Sequence, residues 1–219
     1  MHLPNGSQIF VESNRGDEVQ ATAVSKSENP EFTVASGGAE FAVGSYFIVT
    51  SSSWGKLVDR VLRVKASEDT KITAEGIDTT DPNVFPEGAT ATIAKIGAWT
   101  EIPCVQDLAQ DGGEQQYYTY QCLSDDQEQQ LPTYKSAVSL TYTFAHEYDN
   151  AIYPLLRAAD ESGEVTAMRM YVPKAKEMRC WAGVLSFNEI PQTAVNEMET
   201  VSLSCSLKGR YTFLPANQQ

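Results

Sequence analysis

The sequence predicts an all-β protein: a β-sandwich or barrel core with one flanking α-helix and a small inserted β-barrel module. Three observations carry this prediction. Over Tyr134–His146, the residues Ser136, Val138, Leu140, Tyr142 and Phe144 alternate with Lys135, Ala137, Ser139, Thr141 and Thr143. That period of two belongs to a strand with one apolar face. Over Thr200–Lys208, Val201, Leu203, Cys205 and Leu207 alternate with Thr200, Ser202, Ser204, Ser206 and Lys208. Between these runs a single segment, Asp149–Ser162, has helical character. The polar faces of both strands are built from small hydroxyl residues. A solvated strand face ordinarily uses Lys, Glu and Arg, so these faces suggest contact with more than bulk water, such as a channel or a partner strand.

Composition narrows the function classes. A chain of 219 residues can bury a sizeable core, as one domain or as a core plus a small module. The formal charge of −13, with only 16 Lys and Arg, argues against nucleic-acid binding as an affinity function, because phosphate recognition needs a dense basic patch. No apolar run is long enough to span a bilayer and Met1–Gly6 is polar, so a soluble, unexported protein without membrane insertion is expected. Cys104, Cys122, Cys180 and Cys205 are far apart and form no C-x-x-C; three sit in strand-like apolar contexts and are expected to be buried free thiols.

Element by element, residues 1–30 read as an N-terminal strand over Gly6–Glu12 followed by a polar connector, Asn14–Pro30. Residues 31–97 read as the small barrel module, with strands Phe32–Ala35, Tyr46–Ser51, Leu57–Lys65, Lys71–Glu75 and Thr90–Ile96 between turns rich in Gly, Pro, Asp and Ser. Residues 98–219 read as the core. Here the loop Gln110–Glu114 precedes strands Gln116–Leu123 and Tyr134–His146, which pair across the acidic loop Ser124–Leu131. The helix, about residues 150–162, has Asp149 or Asn150 as N-cap and Gly163 as its stop, and Pro154 restricts it to a start near that position. Strands Glu164–Val172 and Glu177–Asn188 flank Pro173–Lys176 as a hairpin expected to overhang the domain, and Glu199–Phe213 completes the sheet. Met168, Met170, Met178 and Trp181 on that hairpin are the candidate contacts with a neighbouring copy.

Catalytic chemistry is not indicated. The two histidines, His2 and His146, have no nucleophile placed near them, and G-x-S-x-G, P-loop and G-x-G-x-x-G motifs are absent. Asp125, Asp126 and Glu128 lack the spacing of a calcium loop and read as a solvated turn. Tyr117, Tyr118 and Tyr120 read as packed or interface aromatics. No enzyme activity, cofactor or metal is expected.

The chain resembles the major tail tube protein of long, non-contractile-tailed bacteriophages, the siphophage tail tube family. Two stretches carry the resemblance. One holds Asn29-Pro30, Gly44, Trp54-x-x-Leu57-x-x-Arg60-Val61-x-x-Val64, Thr70 and Glu75-Gly76-x-Asp78-Thr79. The other runs from Trp99 to the C-terminus and includes Tyr134-Lys135, Thr141, Phe144 and the Asp149–Gly163 helix. The resemblance implies hexameric rings whose inner strands close into a continuous β-barrel lumen. Such rings stack around a tape measure protein that is later replaced by double-stranded DNA passing without specific binding. It also implies tail terminator and tail-tip proteins as partners, assembly in the host bacterial cytoplasm and residence in the virion tail. Lys135, Ser139, Thr141, Thr143, Thr200, Ser202, Ser204 and Ser206 are then the candidates for the lumen wall. A tail terminator or adaptor ring, a contractile-system tube protein and a monomeric β-barrel binding module remain the alternatives.

Overall fold

The computed structural model describes residues 5–216; residues 1–4, with His2, and 217–219 lie outside the described residues. The protein is all-β with one α-helix. Strand β1 (Gln8–Val24) is followed by β2 (Glu31–Val34), β3 (Tyr46–Ser52), β4 (Val61–Glu68), β5 (Lys71–Glu75) and β6 (Ala89–Ile102). These six pair in the order β2-β5-β4-β3-β6-β1, and β1 pairs back onto β2, so the module is a closed barrel with no free edge of its own. Phe32, Phe47, Leu57, Leu62, Ile72 and Ile93 fill it. Phe32 and Phe41 each meet the Phe47 ring edge-on, at centroid distances of 5.5 and 6.0 Å.

Asn14–Pro30 is not a connector along most of its length, because β1 continues to Val24 and pairs with β6 from Ile9↔Ile102 to Val24↔Ala89. Register shifts between Glu12 and Glu18 let the polar run Asn14–Glu18 bulge outward, and Ala21 and Val24 then return to the barrel core. A polar bulge reads as a loop in sequence although the ladder runs through it. The expected module boundary at 97/98 falls inside β6. The strand expected from Leu57 starts at Val61, since Leu57–Arg60 is a turn in which Asp59 has φ 57°.

The second half contains β7 (Val105–Gly112), β8 (Gln115–Tyr120), β9 (Gln129–Lys135), β10 (Val138–Ala145), helix α1 (Ile152–Ser162), β11 (Val165–Val172), β12 (Glu177–Gln192), β13 (Thr200–Leu207) and β14 (Thr212–Pro215). The sheet continues from the barrel as β1-β11-β12-β13-β10-β7. β12 is shared: Glu177–Val184 pairs with β11, Gly183–Gln192 pairs with β13, and Glu177–Cys180 also pairs with β14. The run Tyr134–His146 is broken at Ser136-Ala137. Its first part is β9, which pairs only with β8 in a separate two-stranded sheet, and its second part is β10. The last run is likewise two strands, interrupted at Lys208–Tyr211.

Alternation along β11 and β12 separates two cores. Met168, Met170, Trp181 and Leu185 face Tyr142, Phe144 and Leu203, with Ile152, Tyr153 and Leu156 of α1 closing that core. Ala167, Cys180 and Ala182 face the other way, against Tyr46, Ile48 and Val61 of the barrel and Leu214 of β14. The barrel is therefore docked on the back of the β11–β12 sheet. Arg169 sits in this seam, its guanidinium 4.8 Å from the Phe10 ring, 4.7 Å from Trp99 and 5.4 Å from Tyr46. The C-terminal segment fastens the same seam: Arg63 pairs with Glu75 at 2.8 Å and donates to the Pro215 carbonyl at 2.7 Å. Gly209 lies so close that a Cβ there would stand 2.0 Å from the Asp59 carbonyl oxygen.

α1 begins where Asn150 Oδ1 accepts the Ile152 N–H at 3.1 Å, carries Pro154 in its first turn, and stops at Gly163 with φ 62°. No helix among the described residues is long and apolar enough to cross a membrane.

Candidate functional site

The two hydroxyl faces predicted separately are one surface. In the β10–β13 ladder Ser139 lies opposite Ser206, Thr141 opposite Ser204 and Thr143 opposite Ser202. Directly opposed residues of an antiparallel pair project to the same side. β12 extends the face with Val184, Ser186 and Asn188 opposite Ser206, Ser204 and Ser202. β7 extends it on the other flank with Asp111, Ala109 and Asp107 opposite Ser139, Thr141 and Thr143. The result is a four-stranded surface, β7-β10-β13-β12, of Ser, Thr, Asn and two carboxylates, without Lys or Arg at these positions. Its reverse side, Leu140, Tyr142, Phe144, Val201, Leu203 and Cys205, is buried. Burial pushes the thiols of Cys180 and Cys205 up to about 12 and the Tyr142 hydroxyl well above its usual range. These groups are packing elements and do not titrate near neutrality.

Thr200 belongs to the face at the end of β13, opposite Ala145 and Gln192. Lys135 does not: it is the last residue of β9, paired with Gln115 on the separate hairpin. Asp107, Asp111, Ser186 and Asn188 were not anticipated. Ser186 and Asn188 alternate with Leu185 and Phe187, a signal that was legible, whereas β7 is polar on both sides and has no alternation to read.

The inter-subunit candidates need correcting. Met168 and Trp181 are fully buried, Met170 is 8 % exposed, and Met178 packs half-buried under the barrel. The β11–β12 hairpin lies between β1 and β13 and does not overhang. Its methionines follow the core parity of the strands, which a Met-rich composition alone does not reveal. The hairpin that does stand free is β8–β9, with Tyr117, Tyr118, Leu131 and Tyr134 exposed. Of the cysteines, only Cys180 and Cys205 are buried; Cys104 and Cys122 are exposed in turns, and all four are free thiols.

Two edges of the four-stranded surface lack a strand partner among the described residues. β7 pairs with β10 on one side only. β11 ends opposite Val184, so from Leu185 to Asn188 β12 is paired only with β13. No group of three or more His, Cys, Asp or Glu among the described residues could hold a metal ion. His146 is engaged through Nδ1 with the Tyr153 hydroxyl at 2.8 Å, which ties the strand end to α1.

A large sheet with a hydroxyl-lined face, unpaired edges and buried, inert thiols has the make-up of a structural protein that assembles through β-strands. The sequence profile of the phage tail tube protein (TTP) family matches residues 52–216, and the chain belongs to that family. A comparison with curated proteins gave no match. The protein is thus a structural subunit of a phage tail tube and a component of the virion tail; it is not an enzyme, and family membership implies self-assembly into a tube.

Proposed function

We propose that the chain is a siphophage tail tube subunit, forming stacked hexameric rings whose joined β7-β10-β13-β12 faces line a lumen that conducts the double-stranded DNA genome. The registered hydroxyl face carries this reading. A wall of Ser, Thr and Asn with scattered carboxylates offers no phosphate contacts, so a polyanion passes without being held. The two unpaired edges support ring closure. β7 and β12 are separated by two antiparallel steps of pairing and one more, so they run in opposite directions, and β7 of one copy can add to Leu185–Asn188 of the next in an antiparallel ladder. Such a contact uses two different surfaces and closes into a ring when the rotation per copy divides the circle.

The barrel of β1–β6 lies outside the bore in this reading: it packs on Cys180 and Ala182, on the same side of β12 as Ser186 and Asn188 but along the stretch that pairs with β11, beyond the hydroxyl face. The tape measure protein before ejection, and tail terminator and tail-tip proteins at the two ends, complete the set of partners, with assembly in the host cytoplasm. Electron cryomicroscopy of purified tubes tests the reading: it expects Thr141 and Ser204 on the bore wall of a hexameric ring, with Val43 of the barrel outside. A map with the barrel in the bore, or a chain that forms no tubes, overturns it.

A further inference from the structure

Two arginines lie in the seam between barrel and sandwich, and the fold treats them differently. Arg63 stands opposite Tyr46 in the β3–β4 ladder, and its guanidinium has Glu75 at 2.8 Å and the Pro215 carbonyl at 2.7 Å. Arg169 stands opposite Phe10 on one flank and Cys180 on the other. No carboxylate pairs with it among the described residues, and its Nε is buried without a hydrogen-bond partner. Glu101, the carboxylate in the same row, lies beyond Phe10 and accepts the Gln8 amide at 3.2 Å. What faces Arg169 is the rings of Phe10, Trp99 and Tyr46, the Tyr46 hydroxyl and the Cys180 thiol. Burial raises the hydroxyl and pushes the thiol up to about 12, so neither carries charge near neutrality, while burial lowers the guanidinium from its ordinary value. Aromatic faces return part of what a desolvated cation loses, and a counter-ion ordinarily supplies the rest.

Arg169 lines a cavity of about 760 Å³ between the barrel and strands β1, β11 and β12. Phe10, Tyr46, Tyr171 and Met178 supply apolar wall, and Gln8 and Lys176, both exposed, stand at its mouth. Lys176 likewise has no ion pair among the described residues. Its N–H donates to the Pro173 carbonyl at 3.1 Å and its carbonyl accepts the Ala216 N–H at 2.8 Å, so the backbone of the mouth is already fixed. Acidic residues outnumber basic ones 29 to 16 in this chain, yet no Asp or Glu is among the described residues that line the cavity. The local charge is inverted. A planar carboxylate matches the guanidinium fork, and a volume of this size, ordinary for a small-molecule site, also has room for an apolar body. A compact, hydrated phosphate leaves the aromatic walls uncovered.

We propose that this cavity is a binding site for an organic carboxylate, whose charged group pairs with the Arg169 guanidinium while its apolar body lies against Phe10, Tyr46, Tyr171 and Met178. Lys176 adds a second positive charge at the mouth. The site is at the Met178 end of β12, away from Ser186 and Asn188, and does not rest on the tube reading. Tyr46 belongs to the barrel and Arg169, Tyr171 and Met178 to the sandwich, so an occupant touches both and fastens one to the other. A free organic acid and an acidic side chain of a second copy of this chain share the required chemistry. The assembled tube distinguishes them.

Calorimetric titration of the full chain with phenylacetate tests the site, with phenylacetamide and inorganic phosphate as comparisons. The unassembled subunit is expected to bind phenylacetate with a Kd on the order of 1 mM or tighter. The amide and phosphate are expected to bind at least roughly tenfold more weakly. Emission should shift through Trp99, 4.7 Å from the guanidinium, since Trp54 and Trp181 are buried and do not line the cavity. Arg169→Lys keeps the charge and loses the fork, which should weaken binding about tenfold. Lys176→Gln, at an exposed position, should weaken it roughly threefold. Binding by subunit and tube alike supports the site and assigns it to free acids; binding that vanishes on assembly supports it and assigns it to an acidic side chain of a second copy. A subunit that does not bind overturns the proposal, as does an amide or phosphate that binds as tightly as the acid. So does an Arg169→Lys chain with an unchanged unfolding midpoint and wild-type affinity; where that variant does not fold, the amide comparison on the wild-type chain decides. The subunit titration needs no tubes, so failure of the tube reading leaves it standing.

Discussion

Placing a cation on the hydroxyl face is the most direct test of what that face does. Thr141→Lys puts the new ammonium between Ser204 and Ala109, neither of which is charged. Asp107 and Asp111 are its diagonal neighbours across β7, at a distance of about 7 Å. Each carboxylate attracts the ammonium by roughly 0.6 kcal/mol in bulk water at that distance, against about 1 kcal/mol for a phosphate at 4 Å. The two together, about 1.2 kcal/mol, match one phosphate contact, so the single substitution is expected to slow genome release only modestly. Removing the offset with Asp107→Asn and Asp111→Asn exposes the full effect. Each lysine–phosphate contact then falls by about 0.9 in log affinity per decade of salt, and about six of them in the hexameric ring proposed above lose on the order of 10³ in affinity between roughly 50 and 200 mM salt. Release followed by DNA-dye fluorescence from virions should therefore be slowest in the triple variant at low salt and recover steeply as salt rises. Normal tubes that eject at the wild-type rate in the triple variant would show that this face does not line the path of DNA.

Other outcomes follow from the packing. At neutral pH a thiol reagent should modify Cys104 and Cys122 of the native subunit quickly and reach Cys180 and Cys205 only in denaturant; four fast thiols would contradict the burial that pushes the latter two up to about 12. Gly209→Ala sets a Cβ 2.0 Å from the Asp59 carbonyl oxygen, backbone that cannot swing away, and should cost about 1–3 kcal/mol. That is a Tm loss of about 2–4 °C per kcal/mol for a chain of this size, and an unchanged Tm would refute the tight seam. Burial raises the Glu12 carboxyl above its ordinary value of 4.5, although Arg15 and the Ala167 N–H pull the other way. The folded state then holds this proton more tightly than the unfolded one, so the group's contribution to stability falls as pH rises from 4.5 through the raised value. Glu12→Gln should flatten that part of the stability profile in urea titrations between pH 4 and pH 8, and a steeper profile in the variant would reverse the sign.

Periodicity made the hydroxyl face legible, because Ser139, Thr141 and Thr143 and Ser202, Ser204 and Ser206 alternate with residues that are all apolar. It could not show that the two runs are neighbours: register is a property of the ladder, and Thr141↔Ser204 emerges only once β10 and β13 are paired. β7 stayed hidden for a different reason. An edge strand exposed on both sides has no apolar face to betray it. The opposite error occurred at Met168, Met170 and Trp181, where a flexible, apolar composition suggests a contact surface but strand parity sends the side chains inward. Lys135 was misplaced because Ser136-Ala137 interrupts a pattern that continues in phase on either side of the break.

The continuity of β1 and β6 through barrel and sandwich fixes an order of events during synthesis. Every strand of the barrel lies within the first 102 residues, so it can close while the ribosome is still at work, with Gln8–Val11 held at its margin. Those four residues wait for Met168–Tyr171, and β10 waits for β13, which ends at Leu207. Contacts of such long sequence separation form slowly. The hydroxyl wall therefore comes into being only once the chain has emerged past Leu207, long after the barrel is able to close.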